Sequence, residues 1–196
     1  RYRKVLKYPK SNAYWYAMYM MGWIDLNLSR HKDALEAFLK VAEATNNDKQ
    51  QEILNRAAKK DFVRAYAEIG KAELAYQAFQ RVDRKYAFTM LTMLGDRFME
   101  QGKSEKAIYI FQELIKEAPK DKNVCLWQYN IAHSMLTVSG DDDKVKEIEK
   151  LTIMWGVLRD RKILPKAEAE ECHDNAAAMS GELARAYHSE SVRTKN

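Results

Sequence analysis

The chain has 196 residues, of which 46% are apolar, with only 7 Gly and 3 Pro. That is too few turn formers for an all-β fold, and the abundance of Ala, Leu, Glu, Lys, Met and Tyr favours helices. The net charge of +5 is unevenly spread: residues 1–60 hold 12 basic against 6 acidic side chains, and residues 141–174 hold 7 basic against 10 acidic. Such asymmetry either steers an acidic partner toward one end or merely solvates exposed helix faces.

No apolar run approaches the roughly 20 residues of a membrane-spanning helix. The closest, Tyr14 to Trp23, is bounded by charged and polar residues. Cys125 and Cys172 are too few for a disulfide framework. They form one bond in an oxidising compartment or remain two buried thiols. Arg1-Tyr2-Arg3-Lys4 opens the chain with none of the apolar stretch of a signal peptide behind it.

In chain order, residues 1–10 read as the last turns of a second helix ending at Tyr8-Pro9, as expected of a segment cut from a longer array. Residues 11–48 form a helix pair, with Gly22 in the first helix and Ala34 and Phe38 in the second. Residues 49–89 form another, with Tyr66, Gly70, Ala75 and Phe79. Residues 88–121 carry Gly95, Phe98, Gly102, Ala107, Phe111 and a terminating Pro119. Residues 122–160 hold helices over 124–137 and 144–158, joined by Ser139-Gly140-Asp141-Asp142-Asp143, which caps the second. Pro165 opens a further helix over 165–190, where Leu183, Ala184 and Tyr187 repeat the first-helix theme.

The internal repeat decides the fold class. Tyr66, Gly70, Ala75 and Phe79 recur 32 residues later as Phe98, Gly102, Ala107 and Phe111. Gly22, Ala34 and Phe38 recur with unchanged gaps as Gly95, Ala107 and Phe111. Small residues in both helices let an antiparallel pair approach closely, and the aromatic one turn later plugs the groove. Gly70 and Gly102 fall at turns, where a helix C-terminus favours a left-handed residue. Each pair buries its apolar face on the next.

These residues resemble the tetratricopeptide repeat, most fully in Met93-Leu94-Gly95-Asp96-Arg97-Phe98 followed by Gly102, Ala107-Ile108, Phe111 and Pro119. The pairs at 15–48 and 56–89 match at fewer points: Asp25 stands where the family prefers an aromatic, and Val63 replaces the close-packing glycine. The 41 residues from Phe38 to Phe79 exceed the usual period of about 34, so an elongated helix or loop is expected between Thr45 and Glu52. The resemblance implies an all-α, right-handed solenoid of antiparallel helix pairs, continuous over residues 1–196. It implies a non-enzymatic scaffold that holds a protein or peptide.

Tyr8-Pro9-Lys10-Ser11-Asn12-Ala13-Tyr14-Trp15-Tyr16-Ala17, followed by Gly22, Ala34-Leu35 and Phe38, is similar to a bacterial cell-envelope subset of these repeats. That subset comprises outer-membrane assembly lipoproteins, division coordinators and gliding-motility components. It implies a periplasmic or outer-membrane-associated place in a multiprotein complex, with a cytoplasmic adaptor or regulator as the alternative. Ser11 also serves locally, as a cap for the next helix.

The family binds on the concave face of its first helices. Carried onto this chain, that face comprises Tyr16, Tyr19, Trp23 and Asn27; then Lys60, Arg64 and Glu68; then Thr92, Asp96 and Glu100. In the fourth pair, with Ala132 as the close-packing residue, it comprises Tyr129 and His133. Tyr and Trp are frequent interface anchors, and Lys60 and Arg64, four apart, suit a carboxylate. The Lys/Asn clamp that holds peptide C-termini in chaperone adaptors is absent, with Tyr19 and Trp23 in those places. Tyr16, Tyr19 and Trp23 equally suit packing against a neighbouring repeat.

No enzymatic constellation emerges. His31, His133, His173 and His188 are scattered, and no Gly-rich phosphate loop occurs. Glu170-Glu171-Cys172-His173-Asp174 points around a helix in different directions and does not suit the closed ligand set of a zinc site. Asp141-Asp142-Asp143 lacks the alternation of a calcium loop. No metal, cofactor or small-molecule substrate is expected. The rival from another class is an RNA-binding helical repeat, which the sequence pI of about 9.0 permits. It wants a consistent pair of polar readers per repeat, where this chain offers Trp23, Arg64 and Asp96.

Overall fold

The computed structural model describes residues 1–138 and 141–194, and every regular element among them is helical. The elements are α1 (Tyr2–Val5), α2 (Tyr14–Asn27), α3 (His31–Ala44), α4 (Glu52–Ile69), α5 (Ala75–Val82), α6 (Ala87–Glu100), α7 (Ser104–Glu117), α8 (Val124–Val138), α9 (Asp141–Asp160) and α10 (Lys166–Thr194). Single 3-10 turns, Lys49–Gln51 and Ala72–Leu74, precede α4 and α5. The chain divides into two compact units, Arg1–Phe98 and Met99–Asn196.

In the first unit α1 packs on α2, α2 on α3, and α3 on α4, in the serial manner of a helical repeat. The close-packing logic is visible in its atoms. A Cβ placed on Gly22 would lie 2.8 Å from Phe38 Cε1, so the bare glycine is what lets that fully buried ring seat against α2. Ala34, Ala75, Phe38 and Phe79 are wholly buried. The Phe62 and Tyr66 rings of α4 meet Phe79 edge-on at 6.1 and 5.1 Å between centroids, which ties α4 to α5. Val63 is buried where the family places glycine.

The long spacing is absorbed as expected, by a loop, a 3-10 turn and an 18-residue α4. A buried polar lock fixes this detour. Asn55 Nδ2 donates to the Ala42 carbonyl at 2.7 Å, satisfying one of the orphan acceptors at the end of α3, and to Thr45 Oγ1 at 3.0 Å. Asp25, where the family prefers an aromatic, is buried at the end of α2 and takes Arg30 Nε at 2.8 Å.

Two turn expectations are corrected. Gly70 is extended (φ −76°, ψ 156°), not left-handed, because the chain runs straight on into the 3-10 turn at Ala72–Leu74. Its lack of a side chain serves packing instead: a Cβ there would collide with the Tyr66 ring, whose hydroxyl donates to the Lys71 carbonyl at 2.9 Å. Ser11 is not the cap of α2. Its Oγ accepts from Ala13 N at 3.3 Å in the turn before that helix.

Gly102 does take the left-handed conformation, φ +66°. The corresponding residue of the first pair is Ser29, at φ 57°, in a turn where Arg30 N reaches back to the Asp25 carbonyl at 2.8 Å. A left-handed L-residue costs roughly 1–2 kcal/mol, part of which glycine recovers. Ser29 is exposed. Ser29→Gly is therefore expected to stabilise the chain by about 0.5–1 kcal/mol, read as a higher urea midpoint at unchanged slope.

In the second unit α7 packs on α8, α8 on α9, and α10 on both α8 and α9. Ala107 and Phe111 are wholly buried, as is Ala132, the close-packing residue of the fourth pair. α7 ends two residues before Pro119, and Pro165 precedes α10, its carbonyl accepting Ala169 N at 2.9 Å. Cys125 of α8 and Cys172 of α10 are joined in a disulfide, with Cα atoms 5.7 Å apart, which resolves the two alternatives left by the sequence. The last helix runs to Thr194, beyond the expected 190, and Ala184 and Tyr187 on it are exposed. The capping turn expected at Ser139-Gly140 lies outside the described residues.

Candidate functional site

The first helices of the N-terminal unit bring together four of the expected residues on one face. Tyr16, Tyr19 and Trp23 follow one another along α2 at intervals of three and four. Arg64 comes from α4 and lies over the Trp23 ring, its guanidinium carbon 5.0 Å from the centroid. Beneath them sits Asp61, only 4% exposed. Its Oδ2 accepts from Tyr19 Oη at 2.6 Å and Trp23 Nε1 at 3.0 Å, and its Oδ1 accepts from Arg64 Nη1 at 3.0 Å. Three donors and one guanidinium charge satisfy a carboxylate that burial alone would penalise.

Burial of Tyr19, together with its hydrogen bond to Asp61, pushes its phenol up to about 12. The hydroxyl thus stays a neutral donor throughout the physiological range.

The other expected residues divide by position. Tyr16 is 52% exposed and meets the Tyr2 ring of α1 edge-on, 6.5 Å between centroids. Lys60 is exposed one turn before Arg64, Asn27 is exposed at the end of α2, and Glu68 is exposed near the end of α4. On α6, Thr92 is half-buried and turns its hydroxyl back to the Phe88 carbonyl at 3.2 Å, whereas Asp96 is exposed. Glu100, Tyr129 and His133 belong to the second unit, where the Tyr129 and His133 rings lie 6.0 Å apart on α8.

The sequence did not single out Asp61. A signal for it was present: half-buried Tyr and Trp need acceptors for their polar tips, and an acid three residues before Arg64 on the next first helix supplies one. Tyr19 and Trp23 are therefore already clamped within the molecule, while Tyr16, which meets Tyr2, and Lys60 remain exposed on this face. Among the described residues no group of His, Cys, Asp and Glu is arranged to hold a metal ion. Cys172, in the acidic run considered for zinc, is committed to the disulfide.

Helix pairs with a close-packing small residue and a plugging aromatic define an all-α repeat architecture. Residues 91–121, most of α6 and all of α7, match the tetratricopeptide repeat family model. No curated protein matches the chain. No helix among the described residues is long and apolar enough to cross a membrane.

Proposed function

We propose that the chain is a non-enzymatic scaffold that holds a protein partner on the α2/α4 face. The observation that carries this reading is the convergence of Tyr19, Trp23 and Arg64 on Asp61. A buried carboxylate fixes an aromatic and cationic platform in one conformation, with Tyr16 and Lys60 exposed at its surface. A rigid aromatic surface binds at low cost in side-chain ordering.

The finer reading is a component of a bacterial envelope complex, of the outer-membrane assembly, division or gliding-motility kind, working in the periplasm or at the outer membrane. The envelope-like string around Tyr8-Pro9 supports it. So does the Cys125–Cys172 disulfide, since such bonds persist in oxidising compartments and are rare in reducing ones.

Photo-crosslinking in cells tests the scaffold. A benzophenone side chain at Tyr16 is expected to give protease-sensitive adducts, and one at the exposed Lys32 of α3 to give none. Nuclease-sensitive adducts, or identical products from both positions, would overturn it. The double substitution Tyr16→Ala with Lys60→Glu should remove the adducts formed from a probe at Asn27 while shifting stability by no more than about 0.5 kcal/mol, as surface changes do.

A further inference from the structure

Helix α2 has no polar face. Its fourteen residues, Tyr14 to Asn27, include only Asp25 and Asn27 besides apolar, aromatic and glycine residues, and Asp25 is buried against Arg30. A helix that is apolar all round is normally enclosed all round. Yet only Ala17, Gly22 and Asp25 of α2 are buried; Tyr16 and Ile24 are exposed, and Trp15, Met18, Met20 and Trp23 are half-covered. Its neighbours differ: α3 carries Lys32, Asp33, Glu36, Lys40 and Glu43 on its exposed side.

The surroundings of this surface are predominantly basic. Residues 1–24 contain five basic side chains and no acidic one. Arg1, Arg3, Lys4, Lys7 and Lys10 are all exposed, on α1 and the turn leading into α2, and α1 meets α2 through the Tyr2–Tyr16 ring pair. On the other flank stand Lys60 and Arg64. Among the described residues Lys60 and the five N-terminal cations have no ion-pair partner. The acid nearest the platform, Asp61, is buried and engaged by Arg64. Glu68 lies one turn beyond Arg64, and Glu43 faces the separate groove lined by Tyr14, Trp15, Met18 and Lys40.

From this juxtaposition we infer that α2 docks an amphipathic segment of a partner protein whose apolar side is rimmed by acidic residues. The apolar side covers Tyr16, Met20 and Trp23, and the acids meet Lys60, Arg64 and the cations of residues 1–10. This inference rests on the scaffold reading and names the partner's chemistry. Uncompensated cations around an apolar patch favour an acidic rim over a neutral one, and they repel a basic one.

Three synthetic peptides of about 18 residues, sharing one apolar stripe at helical spacing, decide it. Their remaining positions are Glu, Gln or Lys. Binding to the full chain is measured by fluorescence anisotropy, beside vesicles of anionic phospholipid and a single-stranded RNA oligonucleotide. The Glu peptide is expected to bind at least about tenfold more tightly than the Gln peptide, with the Lys peptide weakest and the spread shrinking as salt rises. The variant Lys4→Glu/Lys7→Glu/Lys60→Glu, which changes only exposed side chains, should reverse the order. Equal binding of all three peptides would overturn the acidic partner and leave the docking face standing. No peptide binding would remove both. Binding to vesicles or RNA with none to the Glu peptide would overturn the inference in favour of that other polyanion.

Discussion

Replacing Lys59 by methionine is expected to cost the chain about 3 kcal/mol, although the new side chain fills nearly the same volume. Lys59 is 5% exposed on α4, and its ammonium donates to Asn46 Oδ1 at 2.8 Å and to Asp83 Oδ2, and lies 5.5 Å from the centre of the Tyr86 ring. It thereby joins the loop after α3 to the turn after α5. Methionine would leave the Asp83 carboxylate partly buried with no countercharge, and Asn46 without its donor.

The pH dependence supplies an independent check. Burial by itself would push the Asp83 carboxyl up. The Lys59 ammonium and the backbone N–H groups of Lys85 and Tyr86 outweigh burial and hold it below the usual carboxylate range. A carboxyl whose folded pKa is depressed contributes stability that is present above its unfolded value, about 4, and is lost as pH falls through the lower folded value. The wild-type chain should therefore lose stability as pH drops below about 4. Lys59→Met should lose less over that interval, because much of the depression has gone. Urea titrations across this range measure both. A methionine variant as stable as wild type, with an unchanged acid limb, would show the pair to be energetically idle.

The helix pairs were legible because each rests on a steric need that sequence displays. Gly22 and Phe38 must sit at their fixed gap for the ring to seat, and Ala34 and Ala75 are wholly buried on the second helices. The turns were less legible. Gly70 and Gly102 occupy the same place in the repeat, yet only Gly102 is left-handed; Gly70 is small because the Tyr66 ring, about one turn earlier, lies over it. Ser29 shows the converse, a left-handed residue without glycine to mark it.

Of the candidate site, register alone put Tyr19, Trp23 and Arg64 on first helices at matching positions, and the structure brings these three together around Asp61. Asp61 was hidden because an acid inside a charged helix looks solvated until the neighbouring helix is in place. The Lys59–Asp83 and Asn55–Ala42 bonds escaped notice for the same reason: both join residues through an irregular connection whose path no periodicity encodes.

Removal of the disulfide by Cys125→Ser with Cys172→Ser is expected to destabilise the second unit by about 4 kcal/mol, the chain-entropy value for a closed loop of this length. The two cysteines are 47 residues apart and almost fully buried. The loss should concentrate in α10. Among its described side chains only Cys172, Ala176 and Met179 are buried, a stripe at intervals of four and three along a helix of 29 residues. Such a stripe covers little apolar surface, and the Lys122–Glu168 ion pair at 3.5 Å adds little, because Lys122 is well exposed. The covalent bond to α8 is therefore the principal restraint on the helix. Amide hydrogen exchange on the full chain separates this from a general weakening. The double serine variant should exchange much faster across 166–179 and remain near wild type within α2–α4, whose contacts lie in the other unit. The same result should follow from a thiol reductant, which leaves two cysteine thiols and an oxidised dithiol. No change in α10 would mean that packing on α8 and α9 suffices to hold the helix and that the bond is incidental to it.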